Sequence, residues 1–517
     1  MQLTLCLTRA RRIAPDRTAM IYADRKKTWS QVEERVAKLA GALRALGLAA
    51  DDRLIILGHS SDRLLESLYA AMWAGGIAAP LSTRATADEL DYLFGDLDAK
   101  IFVVGDGFER DAARWRATRG DAPVVYIGEG ATPPGFLDFE TLLRAAAPIA
   151  AARRRGDDTA AIFYTGGTTG RPKGVMLTHA NLHSNALNGI FHLRQQEGAV
   201  ILHAGPLYHV AAASRIFTAS ALAGTHVVIP RFSPEAVFEA VERHRVSIFS
   251  SVPTMMSLLL HHPDLGKHDL SSLRMMTYGA SPMPEALIVE LMEKLPHVAF
   301  AQAYGMTELS PACTFLETQD HTLAPDKRGL LRSAGRPTIG CDIKIVGPDD
   351  RELPLGEIGE IVAAGPIVMK GYWRQPEATA QALRGGYMHT GDLGYMDAQG
   401  FVFVVDRLKD VIVSGGENVS SVEVENVVSS HPAVRSCAVI GVPDELWGEA
   451  VHAEVVLRDG ASASEAEIIA FARDRLAHFK APRSVSFREE MPMSGANKIL
   501  KSELRKPFWA GRTRAVN

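Results

Sequence analysis

Short apolar runs rich in β-branched residues alternate along most of this chain with longer stretches whose apolar positions recur every three or four residues. The runs 53–57, 100–104, 123–127, 225–229 and 246–249 read as strands, and 29–46, 62–74, 234–243 and 284–295 read as helices. This alternation predicts layered α/β structure on largely parallel sheets. The pattern changes near residue 409. A strand, a glycine turn and a helix follow, with Ser420 and Glu423 spaced as a capping box before Val424, Val427 and Val428. Strands at 434–441 and 452–457 precede a helix at 464–476, where Ser464 and Glu467 repeat the box. Residues 1–408 and 409–517 are therefore expected to be a large α/β domain and a small α+β domain. No internal repeat of solenoid length is visible.

Composition narrows the field without choosing a function. Of 517 residues, 47% are hydrophobic and 22% charged, and the net charge is -4, so no basic excess points to nucleic acid. No membrane span is expected, because the most apolar stretch, 210–230, is interrupted by Arg215 and His226. Cys6, Cys313, Cys341 and Cys437 are far apart and form no C-x-x-C pair, which argues against a disulfide framework or a structural zinc site. No apolar segment follows Arg9, Arg11 and Arg12, and the chain ends Arg-Ala-Val-Asn. No signal peptide or peroxisomal address is therefore expected, and a cytoplasmic enzyme is the default.

The chemistry enters with Tyr164–Val175, YTGGTTGRPKGV, between two apolar strand patterns. Gly166, Gly167, Gly170 and Gly174 let backbone N–H groups approach an anion with no Cβ in the way. Thr165, Thr168 and Thr169 add hydroxyls, and Lys173 adds a mobile cation suited to a polyphosphate. A Walker A loop needs Gly-Lys-Ser/Thr at its end; here Arg171 and Pro172 separate Gly170 from Lys173, and Gly174 follows.

This loop resembles the phosphate-binding signature of the adenylate-forming superfamily, which includes acyl-CoA synthetases, nonribosomal adenylation domains and luciferases. Gly166 stands where that family usually has Ser. Further matches follow in family order over nearly the whole chain. The resemblance implies a large N-terminal domain of layered sheets with a β-subdomain, and a mobile C-terminal domain hinged near Lys409. It implies that Thr165, Gly166, Gly167, Thr168, Thr169, Gly170 and Lys173 hold phosphates. Gly279, Ala280 and Ser281, in Tyr278–Pro282, would lie against adenine. In Tyr304-Gly305-Met306-Thr307-Glu308, Tyr304 would stack on adenine, Thr307 would reach the α-phosphate and Glu308 would hold Mg2+. Hydroxyl and carboxylate oxygens suit those tasks. Asp392, in Tyr387-Met388-His389-Thr390-Gly391-Asp392, and Arg407 would hold the ribose. Lys409, Ser414, Gly415, Gly416 and Glu417 would face CoA pantetheine, and Lys498 would be the catalytic lysine. Asn497 stands where Gly is usual; asparagine also tolerates left-handed backbone angles.

His209, in Pro206–Val210, matches the family's gate between acyl pocket and pantetheine channel. Val210, Ala211, Ser214, Tyr278, Ala303, Met306 and Ala312 are the implied pocket. They are small or apolar, with no Asp for a substrate ammonium and no Arg or Lys for a second carboxylate. The expectation is an AMP-forming acyl-CoA synthetase acting on a monocarboxylic fatty or aryl acid, with ATP, Mg2+ and coenzyme A. Transfer to a carrier protein, luciferase-type oxidation and nucleotide binding with degenerate chemistry stay open, as does a homodimer.

Overall fold

Where a Thr or Ser precedes an amphipathic stretch, the chain turns into a helix. Thr28, Thr86, Thr178 and Ser464 each close a complete capping box and start the helices Trp29–Ala45, Ala87–Leu97, His179–His192 and Glu465–Arg473. The structure is a computed structural model that describes residues 1–120, 122–165, 171–494 and 498–510.

Two large, mostly parallel sheets form the N-terminal domain. In the first, parallel strands run in the order Ala299–Tyr304, Met275–Gly279, Ile248–Ser251, Val200–His203, Thr225–Val228 and Thr18–Tyr22, with antiparallel strands at both edges. In the second, Thr159–Thr165, Ile77–Pro80, Arg53–Leu57, Ile101–Val104, Val124–Tyr126 and Leu137–Asp138 are parallel, and Lys173–Thr178 and Gly371–Tyr372 extend the edge antiparallel. The helices Trp29–Ala45, Asp62–Trp73, His179–His192 and Val210–Ala221 bury their apolar sides between the two sheets in the largest core. Pro234–His244, Pro253–Leu260 and Glu285–Lys294 cover the outer face of the first sheet, and Ala87–Leu97 and Glu109–Ala117 that of the second. Parallel strands are buried on both faces, which is why they read as unbroken apolar runs.

An antiparallel sheet of Asp342–Val346, Gly359–Ala364, Met388–Met396 and Val402–Arg407 is the β-subdomain. It ends at Arg407, and the next sheet begins at Ile412 with its own core around Ile412, Val424, Val439 and Val455. The antiparallel pair Val434–Asp444 and Gly448–Leu457 is the backbone of that small domain. Among the described residues, no helix is long and apolar enough to cross a membrane.

Two local expectations shift. Gly279, expected to lie against adenine with Ala280 and Ser281, is the last residue of the strand Met275–Gly279 and not part of the turn after it. Ser420 caps the helix Ser421–Ser429, but Glu423 does not reach back; its carboxylate takes Lys480 Nζ at 2.8 and 2.9 Å instead. A charged partner outcompetes a single backbone N–H.

Candidate active site

The expected site residues sit where strands of both large sheets and the β-subdomain end. Thr165 and Lys173 face each other across the antiparallel pair Thr159–Thr165 and Lys173–Thr178. Gly166, Gly167, Thr168, Thr169 and Gly170 lie outside the described residues, as does Asn497. Gly279 ends its strand, and Ala280 and Ser281 follow it in a half-buried bend at the carboxyl strand end. Ala280 takes φ +67°, a conformation costing a non-glycine residue about 1 kcal/mol or more and concentrated at functional turns. The neighbouring strand ends at Tyr304, where Gly305 turns with φ +153°. A Cβ there would lie 2.2 Å from the Pro311 carbonyl oxygen, so only glycine fits. The short 3-10 turn Thr307–Leu309 follows.

Side chains from distant parts of the chain meet around Glu308, which is 4% exposed. Tyr372 Oη donates to Glu308 Oε1 at 2.8 Å, and Lys173 Nζ stands 4.8 Å from the centre of the Tyr372 ring. Burial raises the Glu308 pKa, while the Tyr372 hydrogen bond, Arg407 and Lys173 pull against it. Asp392 Oδ2 accepts from Tyr304 Oη at 2.9 Å, and Arg407 Nε pairs with Asp392 Oδ1 at 3.1 Å. Asp392 and Arg407 are direct cross-strand partners, so the sheet register sets this pair. A carboxylate has about four lone-pair sites, so two remain for ribose hydroxyls. Burial raises the Asp392 pKa, and Arg407, Tyr304, Lys498 and Lys409 oppose that rise. Glu360 fixes the turn before Asp392: it accepts from the Gly391 N–H at 2.9 Å and lies 2.8 Å from His389 Nδ1.

Lys498 arrives from the small domain. Its pKa is lowered to about 8 by burial and by Arg407, with Asp392 and Glu308 acting in the opposite sense. The small domain is tied to the large one nearby: Arg84 Nη1 donates to the Ser494 carbonyl at 2.8 Å. Lys409 is also lowered to about 8, by burial and Arg407. The cations Lys173, Arg407, Lys409 and Lys498 thus gather around Glu308 and Asp392 in a partly dehydrated space, a setting for a polyanion.

Of the residues expected to face CoA, Lys409 joins this group and the others do not. Ser414 is buried; Gly415, Gly416 and Glu417 are exposed on the small domain. The Gly415 N–H donates to the Trp447 carbonyl, and a Cβ on Gly415 would strike the Trp447 ring at 2.3 Å.

The implied acyl residues divide. His209 precedes the helix Val210–Ala221 and packs against Tyr208 with ring centres 4.5 Å apart. Val210 is buried in the core between the sheets, with Met306 packed against that core. Ala211 is exposed, and Ser214 is buried, donating to the Ala211 carbonyl at 3.3 Å. Ala303 and buried Ala312 pack with Leu193, Ala301 and Phe315. Tyr278 does not join them. It is buried in the outer core on the opposite face of its strand, where its hydroxyl lies 2.9 Å from His321 Nε2. Strand alternation turns it away from Ala303 and Ala312.

The model of the AMP-binding enzyme matches residues 7–373, and that of the AMP-binding enzyme C-terminal domain matches 423–498. This chain belongs to the AMP-binding enzyme family. The feruloyl-CoA synthase of Amycolatopsis sp is 40% identical, covering 97% of this chain and 98% of its own. The indoleacetate–CoA ligase of Aromatoleum aromaticum is 34% identical over 98% of each chain. Among solved structures, ATP-bound MatB from Rhodopseudomonas palustris superposes with a TM-score of 0.89 at 33% identity, covering 99% of this chain and 100% of its own. The AMP-binding enzyme described here is an AMP-forming acid–thiol ligase, an acyl-CoA synthetase of the adenylate-forming superfamily.

One residue of the site is not legible in the sequence of this AMP-binding enzyme: Tyr372 lies in no motif, and its tie to Glu308 depends on the edge strand Gly371–Tyr372 pairing with Lys173–Thr178.

Proposed function

We propose that Lys498, Glu308, Asp392, Arg407 and Lys173 are the machinery with which this acyl-CoA synthetase adenylates its acid. The observation that carries the reading is the electrostatic meeting of Lys498 with Glu308 and Asp392, three residues from separate segments of the chain. In the first half-reaction an acid carboxylate oxygen attacks the α-phosphorus of ATP; the bond to the bridging oxygen breaks and pyrophosphate leaves. Two anions must approach, so their repulsion sets the barrier. Lys498 neutralises charge at the reacting phosphate, Lys173 and the glycine loop hold the departing phosphates, and Asp392 and Arg407 fix the ribose. Thr307 hydrogen-bonds the α-phosphate.

Glu308 fits Mg2+. It is a buried carboxylate with one protein donor, and among the described residues no group of three or more His, Cys, Asp or Glu could hold a metal unaided. Mg2+ is ordinarily held by one or two carboxylates together with substrate phosphates and water. When bound, it would offset charge on those phosphates.

In the second half-reaction the CoA sulfur attacks the acyl carbonyl, the acyl–phosphate bond breaks and AMP leaves. The exposed Gly415–Glu417 turn is the surface for pantetheine, and a rotation of the small domain about Lys409 would exchange it with Lys498. Such a hinge needs few moving backbone positions, and the junction between Arg407 and Ile412 carries no strand. His209 would gate the passage from pocket to thiol. The proposed acid has a fatty or aryl skeleton, supported by the small or apolar Val210, Ala211, Ala303, Met306 and Ala312. The test is to separate the half-reactions: Lys498→Ala abolishes acid-dependent pyrophosphate release yet converts supplied acyl-AMP and CoA to thioester. Equal loss of both steps would refute this division. Running pyrophosphate release with and without CoA distinguishes CoA from another acceptor.

A further inference from the structure

The helix that follows His209 carries a buried cation, Arg215. Arg215 is 7% exposed, its Nε has no hydrogen-bond partner, and among the described residues no carboxylate pairs with it. Burial alone lowers its pKa, to about 10. Two other cations with little exposure are matched: Lys27 holds Asp62 and Glu66 at 2.8 and 2.7 Å, and Lys501 holds Glu425 at 2.7 Å. An uncompensated guanidinium inside a protein costs several kcal/mol and calls for a missing anion.

Its position says where that anion comes from. Arg215 follows Ala211 by four residues, so both lie on one side of the helix, about 6 Å apart. Ala211 is exposed and Arg215 buried, so the line between them runs from the surface inward. The neighbouring helix His179–His192 packs beside the guanidinium: a Cβ on Gly189 would stand in ordinary contact with Arg215 Nη1, at 3.5 Å. Beneath the helix, Ile201, Ile248 and Met275 pack with Ala219 and Leu222. Alternation along those strands brings His203, Ser250 and Thr277 to the same sheet face, nearer the carboxyl ends. Ser250 Oγ and Thr277 Oγ1 are 2.6 Å apart, and Arg215 lies close enough to His203 to depress its pKa. Gly279, two residues after Thr277 on the same strand, and its partner Ala303 on the next strand come immediately after. This polar face therefore adjoins the expected junction of acid and nucleotide, at the carboxyl strand ends where open α/β sheets bind ligands.

We propose that Arg215 is the floor of the acyl pocket and that the acid activated by this ligase carries a second carboxylate at its far end. A carboxylate matches the guanidinium fork in two parallel hydrogen bonds, with Ser250 and Thr277 as flanking hydroxyl donors. A methyl end leaves the cation buried and unmet, and a phenol offers one oxygen where two fit. The proposal rests on the synthetase reading and replaces the monocarboxylic expectation, which weighed no residue beyond the named pocket group.

The experiment measures acid-dependent pyrophosphate release with ATP and CoA for matched acids: aliphatic diacids against methyl-ended acids of equal length, and terephthalate against 4-methylbenzoate and 4-hydroxybenzoate. The wild-type protein is expected to favour the best diacid over its methyl partner by about 100-fold or more in kcat/KM, the scale set by an unpaired buried group. Arg215→Met should erase or invert that ratio, and Arg215→Lys should retain part of it. Equal or better turnover of methyl- or hydroxyl-ended acids by the wild-type protein overturns the proposal, whether or not the variants fold. So does an unchanged ratio in folded Arg215→Met. Pyrophosphate release with none of the acids refutes the synthetase reading itself and the pocket with it.

Discussion

Replacing Tyr372 by phenylalanine removes one oxygen from the site and little else. That oxygen donates to Glu308 at 2.8 Å, and both residues are buried, 8% and 4% exposed. A hydrogen bond to a charged group is worth about 1.5–3 kcal/mol, and each 1.36 kcal/mol is tenfold in rate. If Glu308 holds the metal that accompanies ATP, Tyr372→Phe should lower kcat/KM for ATP by about 10- to 100-fold and raise the Mg2+ concentration for half-maximal rate. The phenyl ring still faces Lys173, 4.8 Å away in the parent structure. Tyr372→Leu removes that ring too, and a cation–π contact of about 0.5–2 kcal/mol should cost a further 2- to 30-fold. The assay is ATP–pyrophosphate exchange at varied ATP and Mg2+, with melting curves to show that both variants remain folded. A Tyr372→Phe protein within twofold of wild type in both parameters would refute the reasoning: the hydroxyl would then be a packing detail and Glu308 would not depend on it.

The remaining predictions use the same site. Because the Lys498 pKa is lowered to about 8, its ammonium is lost as pH rises through that value. Adenylation kcat/KM should therefore fall above about pH 8, while thioester formation from supplied acyl-AMP lacks that limb; identical profiles for the two steps would contradict it. Gly305→Ala places a Cβ 2.2 Å from the Pro311 carbonyl at φ +153°, so it should destabilise the protein by about 1–3 kcal/mol and weaken ATP binding, read by melting and by ATP titration. An Ala variant with wild-type melting and affinity would show that the turn relaxes without cost.

The sequence by itself determined the layered α/β class, the position of the small domain and the order of the motifs. These are local properties. Capping residues such as Thr28 and Ser464 act within one helical turn, and a strand buried on both faces must be apolar throughout. Tertiary structure alone decided which distant side chains meet. Tyr372 reaches Glu308 through an edge-strand pairing, Asp392 meets Arg407 through sheet register, and Glu423 turns to Lys480 instead of its own helix end. Tyr278 faces away from the pocket expected for it because a strand sends successive side chains to opposite faces, and register decides which. Arg215 is the plainest case: its charge is visible in the chain, but whether that charge is solvated, paired or left waiting for a substrate depends on three-dimensional burial.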